Sequence, residues 1–284
     1  MSFHTPLRYP GGKGRLAQFM GELIETNGLT GGHYIEPYAG GAGIAVTLLY
    51  LEYVSRIHLN DLNRSIHAFW HSVLNEPEAL CRLILDTRPT IEEWYAQRAV
   101  QIDPDASPLA LGFSTFFLNR TNRSGIILGG VIGGKEQNGP WKIDARYNKN
   151  DLIRRIERIA SYKSRISLYN LDAVDLIKDV LPTLPRQSLV YLDPPYYVKG
   201  KGLYEDHYSH TDHAQIAALV SDIPQKWIVS YDNVEPIRAL YSAHHQEIFG
   251  LRYSAGSRYE GKEVMVFCPS LKPVDIKPSR SAAA

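Results

Sequence analysis

One stretch decides the fold class of this chain: Ser188-Leu189-Val190-Tyr191-Leu192-Asp193-Pro194-Pro195-Tyr196. A short, largely apolar run bounded by turn residues predicts a buried strand, and this strand ends at Asp193. Open α/β sheets bind their ligands outside the carboxyl ends of their strands. The stretch therefore predicts an α/β sheet with a ligand site at Asp193.

The residues after the strand suit a planar substrate that carries an amino group. Pro194 and Pro195 have no backbone N–H, so nearby acceptors face no competition from their own chain. Asp193 and the Pro194 carbonyl can accept the protons of an exocyclic amine on a nucleobase, while Tyr196 stacks on its ring. Asp-Pro is also a common start of a turn, and an ordinary strand exit is the alternative.

A second motif runs from residue 34 to residue 43: Tyr34-Ile35-Glu36-Pro37-Tyr38-Ala39-Gly40-Gly41-Ala42-Gly43. It predicts a strand, a Gly-rich turn and a helix from about Gly43, because glycine lets a backbone approach a ligand closely. The next predicted strand, 54–60, ends at Asp61, twenty residues beyond Gly41. A carboxylate at that distance is the expected partner of ribose hydroxyls. Val46 replaces the third small residue of the dinucleotide fingerprint, so a nucleoside-amino-acid ligand fits the turn at least as well as a dinucleotide. A turn without a ligand is the other alternative.

A third motif, 8–15, contains Gly11-Gly12-Lys13. A phosphate-binding loop is excluded, because Leu7 stands where its first glycine belongs and Gly14 follows the lysine. The motif predicts instead a tight basic turn in which Lys13 binds a carboxylate, such as that of a methionine moiety. A helix follows, with apolar residues at helical spacing: Leu16, Phe19, Leu23 and Ile24.

Together these motifs resemble the Dam-like (D12 class, alpha group) DNA adenine methyltransferases. The resemblance covers about 6–268, and the segments follow the family's order: Arg8-Tyr9-Pro10-Gly11-Gly12-Lys13, Glu36-Pro37-Tyr38-Ala39-Gly40-Gly41, Asn60-Asp61-Leu62-Asn63, Leu118-Asn119-Arg120 and Asp193-Pro194-Pro195-Tyr196. The family usually has Trp where this chain has Tyr9, and both rings can stack.

The resemblance implies a Rossmann-like S-adenosylmethionine-dependent methyltransferase fold with a mostly parallel seven-stranded sheet. It implies catalysis by Asp193, Pro194 and Tyr196 on the N6 amino group of an adenine flipped out of double-stranded DNA. It also implies that S-adenosylmethionine is the cofactor, held by Tyr9, Lys13, Asp61 and Asp193. We add four candidates from the cofactor loop and the next strand end: Glu36, Gly41, Gly43 and Asp172. N4 of cytosine is the nearest rival substrate, and a DNA-binding protein without turnover is the rival outside enzymes.

The chain is expected to form a discontinuous catalytic domain, 1–62 and 151–270, around a recognition insert, 63–150, with a flexible tail, 271–284. The first part of the insert, 63–98, has helical periodicity. The stretch from Gly125 to Gly139 contains six glycines and predicts a long hairpin or a mobile loop. The formal net charge is only +1, so affinity for DNA has to come from a local patch.

That patch is predicted in the insert, where 119–155 holds eight basic residues against three acidic ones. Basic side chains contact phosphates, and a few side chains reach base edges, for which Arg123, Gln137 and Asn138 are suited. A solvated loop is the alternative for any one residue. The DNA-binding candidates are Asn119, Arg120, Arg123, Lys135, Asn138, Lys142 and Arg146.

Three histidines, His207, His210 and His213, lie at a spacing that could form a zinc site with Asp206 and Asp212. The sequence predicts instead that Thr211 caps a helix and that the first two histidines precede it on a loop that closes over the flipped base. Methyl transfer from a sulfonium needs no metal, so we expect none.

Two cysteines among apolar neighbours, and no signal-peptide pattern or long apolar stretch, predict free thiols, no membrane association and a cytoplasmic location. A monomer or weak dimer is expected.

Overall fold

The computed structural model describes residues 4–8, 16–198, 208–253 and 259–275. The strands are β1 (His33–Glu36), β2 (Arg56–Asn60), β3 (Ile166–Tyr169), β4 (Ser188–Leu192), β5 (Lys226–Asp232), β6 (His245–Tyr253) and β7 (Tyr259–Phe267). The helices are α1 (Ala17–Thr26), α2 (Gly43–Tyr50), α3 (Arg64–Asn75), α4 (Pro77–Asp86), α5 (Ile91–Ile102), α6 (Pro108–Thr121), α7 (Lys149–Ala160), α8 (Ala173–Asp175), α9 (His210–Ser221) and α10 (Glu235–Leu240).

The strands form one seven-stranded sheet in the order β3-β2-β1-β4-β5-β7-β6. The first five are parallel to one another, and β7 is antiparallel to both β5 and β6. The prediction of a mostly parallel seven-stranded sheet is confirmed. All five residues of β4 are buried, as expected for a central strand covered on both faces.

The predicted insert is helical, and α3, α4, α5 and α6 all lie within 63–150. The side chain of Asn63 accepts hydrogen bonds from the backbone N–H groups of Ser65 and Ile66 and so begins α3. Ser107 caps α6 in the same way, with proline at its first position. One hydrophobic cluster runs from the sheet through Trp70 of α3 and into α6, so the insert shares its core with the sheet. The domain boundaries themselves stay a prediction.

Of the two structures predicted for 125–139, a long hairpin or a mobile loop, the structure has a loop. Every residue of this stretch is described, and none lies in a regular strand. One isolated bridge pairs Val131 with Asn122, and turn hydrogen bonds such as that from the Gly129 N–H to the Ile126 carbonyl, at 2.9 Å, join nearby residues. The side-chain amide of Asn122 donates to the carbonyls of Ile126 and Ile127, at 2.9 and 2.7 Å. Backbone groups satisfied by side chains in this way have no need of a strand partner.

One helix prediction also needs correction. Ser209, not Thr211, caps α9, because its hydroxyl accepts from the backbone of Asp212 while the Asp212 carboxylate accepts from the backbone of Ser209. His210 is therefore the first residue of α9 rather than a loop residue. Between β3 and β4, α8 is followed by a π-helical turn, Leu176–Val180, and a 3₁₀ turn, Leu181–Thr183.

Both cysteines, Cys81 and Cys268, are free thiols, as predicted. Among the described residues, the structure has no helix with the length and apolar character needed to cross a bilayer.

A chain of hydrogen-bonded rings crosses three strands. His58 Nε2 lies 3.0 Å from His33 Nδ1, and His58 Nδ1 lies 3.0 Å from the hydroxyl of Tyr169. His58 is 3% exposed, and its burial lowers its pKa to about 4, with the positive charges of His33 and Arg56 acting in the same direction. The ring is therefore neutral at neutral pH, and protonating it opposes folding.

We predict that the free energy of unfolding falls as the pH is lowered from about 6.5 towards 4. Below the ordinary histidine pKa of about 6.5, His58 binds a proton in the unfolded chain but stays neutral in the folded chain until the pH approaches 4. The contribution of neutral His58 to the free energy of unfolding is therefore fully present above pH 6.5. Between pH 7.5 and pH 5 the free energy of unfolding should fall by about 2 kcal/mol. Urea unfolding at both pH values should show a smaller loss for His58→Gln than for the wild type. The exposed His245→Gln is the control, and equal losses in wild type and His58→Gln would contradict the prediction.

Candidate active site

Acidic residues follow or end four neighbouring parallel strands at one edge of the sheet. Glu36 ends β1, Asp61 follows β2, Asp193 follows β4 and Asp232 ends β5. The strands run in the same direction and in register, so their carboxyl ends meet. The structure therefore brings together residues that are separated by up to about two hundred positions in the sequence.

The Gly-rich turn after β1 is held by Asp61. One carboxylate oxygen of Asp61 accepts the backbone N–H of Gly40 at 2.8 Å, and the other accepts that of Asn63 at 3.0 Å. Gly40 has φ 47° and Ala42 has φ 45°, so the turn needs two left-handed residues in close succession. Gly41 and Gly43 lie in this turn and at the start of α2, as predicted.

Asn60 joins the ends of three strands. Its side-chain amide donates to the carbonyls of Pro37, at 2.9 Å, and Leu171, at 3.0 Å, and its oxygen accepts the N–H of Leu171 at 3.0 Å. It is 1% exposed. Asp172 follows and accepts the N–H of Val174 as the cap of α8, so its predicted cofactor role stays a prediction. The sequence marked Asn60 only as part of a motif and did not predict that its amide would join neighbouring strands. The signal that could have shown this is a polar residue at the end of a buried strand.

Glu36 is buried beside Asp193. Burial raises the pKa of the Glu36 carboxyl to about 8, and the charge of Asp193 adds to the rise. At pH 7 most molecules therefore carry a proton on Glu36, which makes this side chain a hydrogen-bond donor rather than a second negative charge.

The tetrapeptide Asp193–Tyr196 after β4 is supported from β5 and β7. The hydroxyl of Ser230 donates to Asp193 Oδ1 at 3.1 Å, and the hydroxyl of Tyr191 lies 2.8 Å from that of Ser230. Tyr196 is buried and its hydroxyl donates to the buried carboxylate of Glu263 on β7. These contacts fix the positions of both the Asp193 carboxylate and the Tyr196 ring.

Asp232 holds the chain that leaves the tetrapeptide. Its two carboxylate oxygens accept the backbone N–H groups of Tyr197 and Val198, at 2.9 and 3.0 Å. Asp232 is 6% exposed, so these charged hydrogen bonds form largely out of water. Sequence reasoning missed Ser230, Asp232 and Glu263, because no motif marks them; their only signal is a place on the strands beside the tetrapeptide.

An aromatic cluster links the Gly-rich segment after β1 to α9. The hydroxyls of Tyr38 and Tyr208 lie 3.0 Å apart, and the ring of Tyr197 contacts those of His210 and His213. His213 is buried, and His207 lies outside the described residues. In the part of the chain that the structure describes, no group of three or more acidic, histidine or cysteine side chains is arranged to hold a metal.

Two predicted cofactor residues, Tyr9 and Lys13, lie outside the described residues, but the segment before them is attached to the insert. Asn119 accepts the backbone N–H of Arg8 at 2.7 Å and donates to the Arg8 carbonyl at 2.6 Å and the Gly125 carbonyl at 2.8 Å. Asn119 is 1% exposed, so its side chain is used inside the protein rather than at a DNA-facing surface.

The other predicted DNA-binding residues lie at or near the surface. Arg120 is half-buried and its guanidinium donates to the Arg146 carbonyl at 2.7 Å. The remaining five side chains are exposed: Arg123, Lys135, Asn138, Lys142 and Arg146.

A mixed seven-stranded sheet with a Gly-rich turn after its first strand and a carboxylate after its second defines a Rossmann-like α/β fold. The family model of the D12 class N6 adenine-specific DNA methyltransferases matches residues 9–253, most of the chain. The chain belongs to this family and is an adenine-specific DNA methyltransferase. The family resemblance, the methyltransferase fold and the enzyme class expected from the sequence are confirmed.

Solved structures match at low identity. The rRNA methyltransferase AviRa from Streptomyces viridochromogenes is 12% identical, with a TM-score of 0.39 over 92% of this chain and 86% of that one. TrmN from Thermus thermophilus is 11% identical, with a TM-score of 0.40 over 90% of this chain and 48% of that one. Precorrin-6y C5,15-methyltransferase from Geobacter metallireducens is 8% identical, with a TM-score of 0.38 over 89% and 87%. These scores support no argument about substrate. No curated protein matches the sequence.

We predict that Asp232→Asn lowers the turnover of methyl transfer about tenfold or more and changes cofactor affinity less than twofold. The amide can accept only one of the two backbone N–H groups, and the loss of a charged hydrogen bond costs about 1.5–3 kcal/mol. Single-turnover kinetics with calorimetry of cofactor binding measures both quantities. Asp222→Asn, at an exposed position after α9, is the control. Wild-type turnover in Asp232→Asn would show that this anchor has no part in the reaction.

Proposed function

We propose that this protein transfers the methyl group of S-adenosylmethionine to N6 of an adenine flipped out of double-stranded DNA at specific sites. The observation that carries the proposal is the Asp193 carboxylate at the end of β4, fixed by Ser230 and followed by two prolines, in a chain of this family. The Asp193 carboxylate is therefore a preorganised hydrogen-bond acceptor. Preorganised acceptors stabilise a transition state in which positive charge develops, as it does on the attacking nitrogen.

The groups at the sheet edge fit S-adenosylmethionine. The tight turn at Gly40 and Ala42 brings backbone close to a ligand, and Asp61 provides a carboxylate of the kind that binds ribose hydroxyls. We assign the cofactor to Asp61, Asp193 and the turn glycines, with Tyr9 and Lys13 completing the site. When bound, S-adenosylmethionine supplies an electrophilic methyl group on its sulfonium sulfur.

In the proposed reaction, Asp193 and the carbonyl of Pro194 accept hydrogen bonds from the N6 amino group of adenine. This turns the nitrogen lone pair out of the ring plane and stabilises the positive charge that forms on the nitrogen during attack. Tyr196, whose hydroxyl is tied to Glu263, provides a fixed ring for stacking. The exocyclic nitrogen is itself the nucleophile, so in-line positioning supplies much of the rate and no covalent enzyme intermediate takes part.

DNA binding is assigned to the insert. Arg123, Lys135, Lys142 and Arg146 are exposed cations that suit phosphate contacts, and Asn138 suits a base edge. Arg120 stands half-buried behind them. Asn119 is left out of this set, because its amide holds the amino-terminal segment. We further propose that the protein acts in the cytoplasm, as a monomer or weak dimer.

We predict that Asp193→Ala abolishes methylation of DNA and leaves the protein folded. Truncation removes the acceptor on which the chemistry depends, whereas a strand end at the protein surface tolerates a smaller side chain. Mass spectrometry of nucleosides from treated DNA should find N6-methyldeoxyadenosine with the wild type and none with the variant. Asp175→Ala, which removes an exposed carboxylate on α8, is the control. Near-native product from Asp193→Ala would refute the catalytic role of Asp193. If the wild type produces N4-methyldeoxycytidine instead, the target base is cytosine rather than adenine.

We predict that Asp61→Ala weakens S-adenosylmethionine binding by about 1.5–3 kcal/mol, or roughly ten- to a hundredfold in Kd. The variant loses the ribose acceptor and also the anchor of the turn at Gly40. Calorimetry without DNA measures the affinity, and Asp172→Ala tests the neighbouring strand end in parallel. Unchanged affinity in Asp61→Ala together with a loss in Asp172→Ala would move the ribose site to Asp172.

A further inference from the structure

Trp141 is the exposed tryptophan of this chain. Its side chain is 67% exposed, whereas the other three tryptophans, Trp70, Trp94 and Trp227, are 0, 4 and 1% exposed. A large indole in water gives up the stabilisation that burial would provide. Single exposed apolar side chains are common on protein surfaces, so the case for Trp141 rests on its support and on its neighbours. Trp141 lies in the insert, on the stretch between the Gly-rich loop and α7.

The backbone near Trp141 is held by hydrogen bonds with the side chain of Gln137. The Gln137 side chain donates to the carbonyls of Ile132 and Gly134, at 2.8 and 2.6 Å, and accepts the N–H of Ile143 at 2.8 Å. Gly133 has φ 84°, and a Cβ atom there would lie 2.6 Å from the carbonyl oxygen of Trp141. The loop therefore holds the indole outward on a fixed support, and the exposure is built into the local structure.

The surroundings of the ring are basic. The guanidinium of Arg146 lies 6.0 Å from the Trp141 ring centroid, and Lys142 is the next residue in the chain. Both cations are exposed. A flat apolar surface bordered by cations fits a partner that has aromatic faces and negative charge together, which is the chemistry of nucleic acid.

We propose that Trp141 is a DNA-contacting residue that stacks on a nucleobase exposed in the bound DNA, while Lys142 and Arg146 contact the adjoining phosphates. The inference rests on the proposed function, because it takes the substrate to be DNA. It adds an aromatic contact to an insert whose other surface candidates are polar. Stacking is tolerant of base identity, so Trp141 contributes affinity more than sequence preference.

Acrylamide quenching singles out this residue, because acrylamide reaches an exposed indole readily and the other three tryptophans are buried. The full-length protein is titrated with a duplex oligonucleotide that the wild type methylates, and acrylamide quenching is followed. We expect DNA to quench the Trp141 emission and to shield it from acrylamide, and Trp141→Phe to abolish the DNA-dependent change. Trp141→Ala should weaken DNA binding about five- to a hundredfold, the range of one lost base–aromatic stack, with S-adenosylmethionine affinity unchanged. Ile248→Ala, on edge strand β6 with 53% exposure, is the matched control.

Three outcomes overturn the inference, each in a different way. If the wild type methylates DNA while Trp141 stays open to acrylamide and Trp141→Ala binds normally, Trp141 is outside the DNA interface. If shielding depends on protein concentration and occurs without DNA, the ring belongs to a contact between two copies of the chain. If the wild type neither binds nor methylates any DNA, the proposed function is wrong, and the DNA-contacting role of Trp141 is wrong as well.

Discussion

The parallel pairing of β1, β2, β4 and β5 is the constraint on which the rest of the structure depends. Since all four strands run in the same direction, their carboxyl ends and the polar residues there meet at one edge. The buried amide of Asn60 strengthens that edge by linking the ends of β1 and β3 to β2. A loss of register at any of these strands would separate the cofactor turn from the tetrapeptide.

Electrostatics at this edge follows from burial. Two carboxylates lie close together at Glu36 and Asp193, and burial of the first keeps it protonated near neutral pH. Of this pair, Asp193 alone then carries a negative charge. Ser230 and Asp232 work at longer range, because they fix the Asp193 carboxylate and the backbone beyond Tyr196 without touching a substrate in the proposed mechanism.

The sequence predicted β1, β2 and β4, because each is a short run with buried apolar residues that is followed by turn residues or by an aspartate. It placed the Gly-rich turn and the helical insert for the same local reasons. It failed where contacts between distant residues decide the structure. The hydrogen bonds from Tyr197 to Asp232 and from Arg8 to Asn119 join segments 35 and 111 residues apart, which no local pattern reveals. For 125–139 the sequence left a hairpin open beside a loop; the structure has the loop, in which the side-chain amides of Asn122 and Gln137 donate to nearby carbonyls beside local backbone turns.

The most direct measurement of the central claim is sequencing of DNA for modified bases after the chain is expressed in a host without DNA methylation. We expect single-molecule sequencing to find N6-methyladenine at one short recognition sequence throughout the host DNA. An empty-vector culture should show none. Unmodified DNA from a culture that contains the folded protein, or methylation on cytosine alone, would contradict the assignment of N6-adenine methylation.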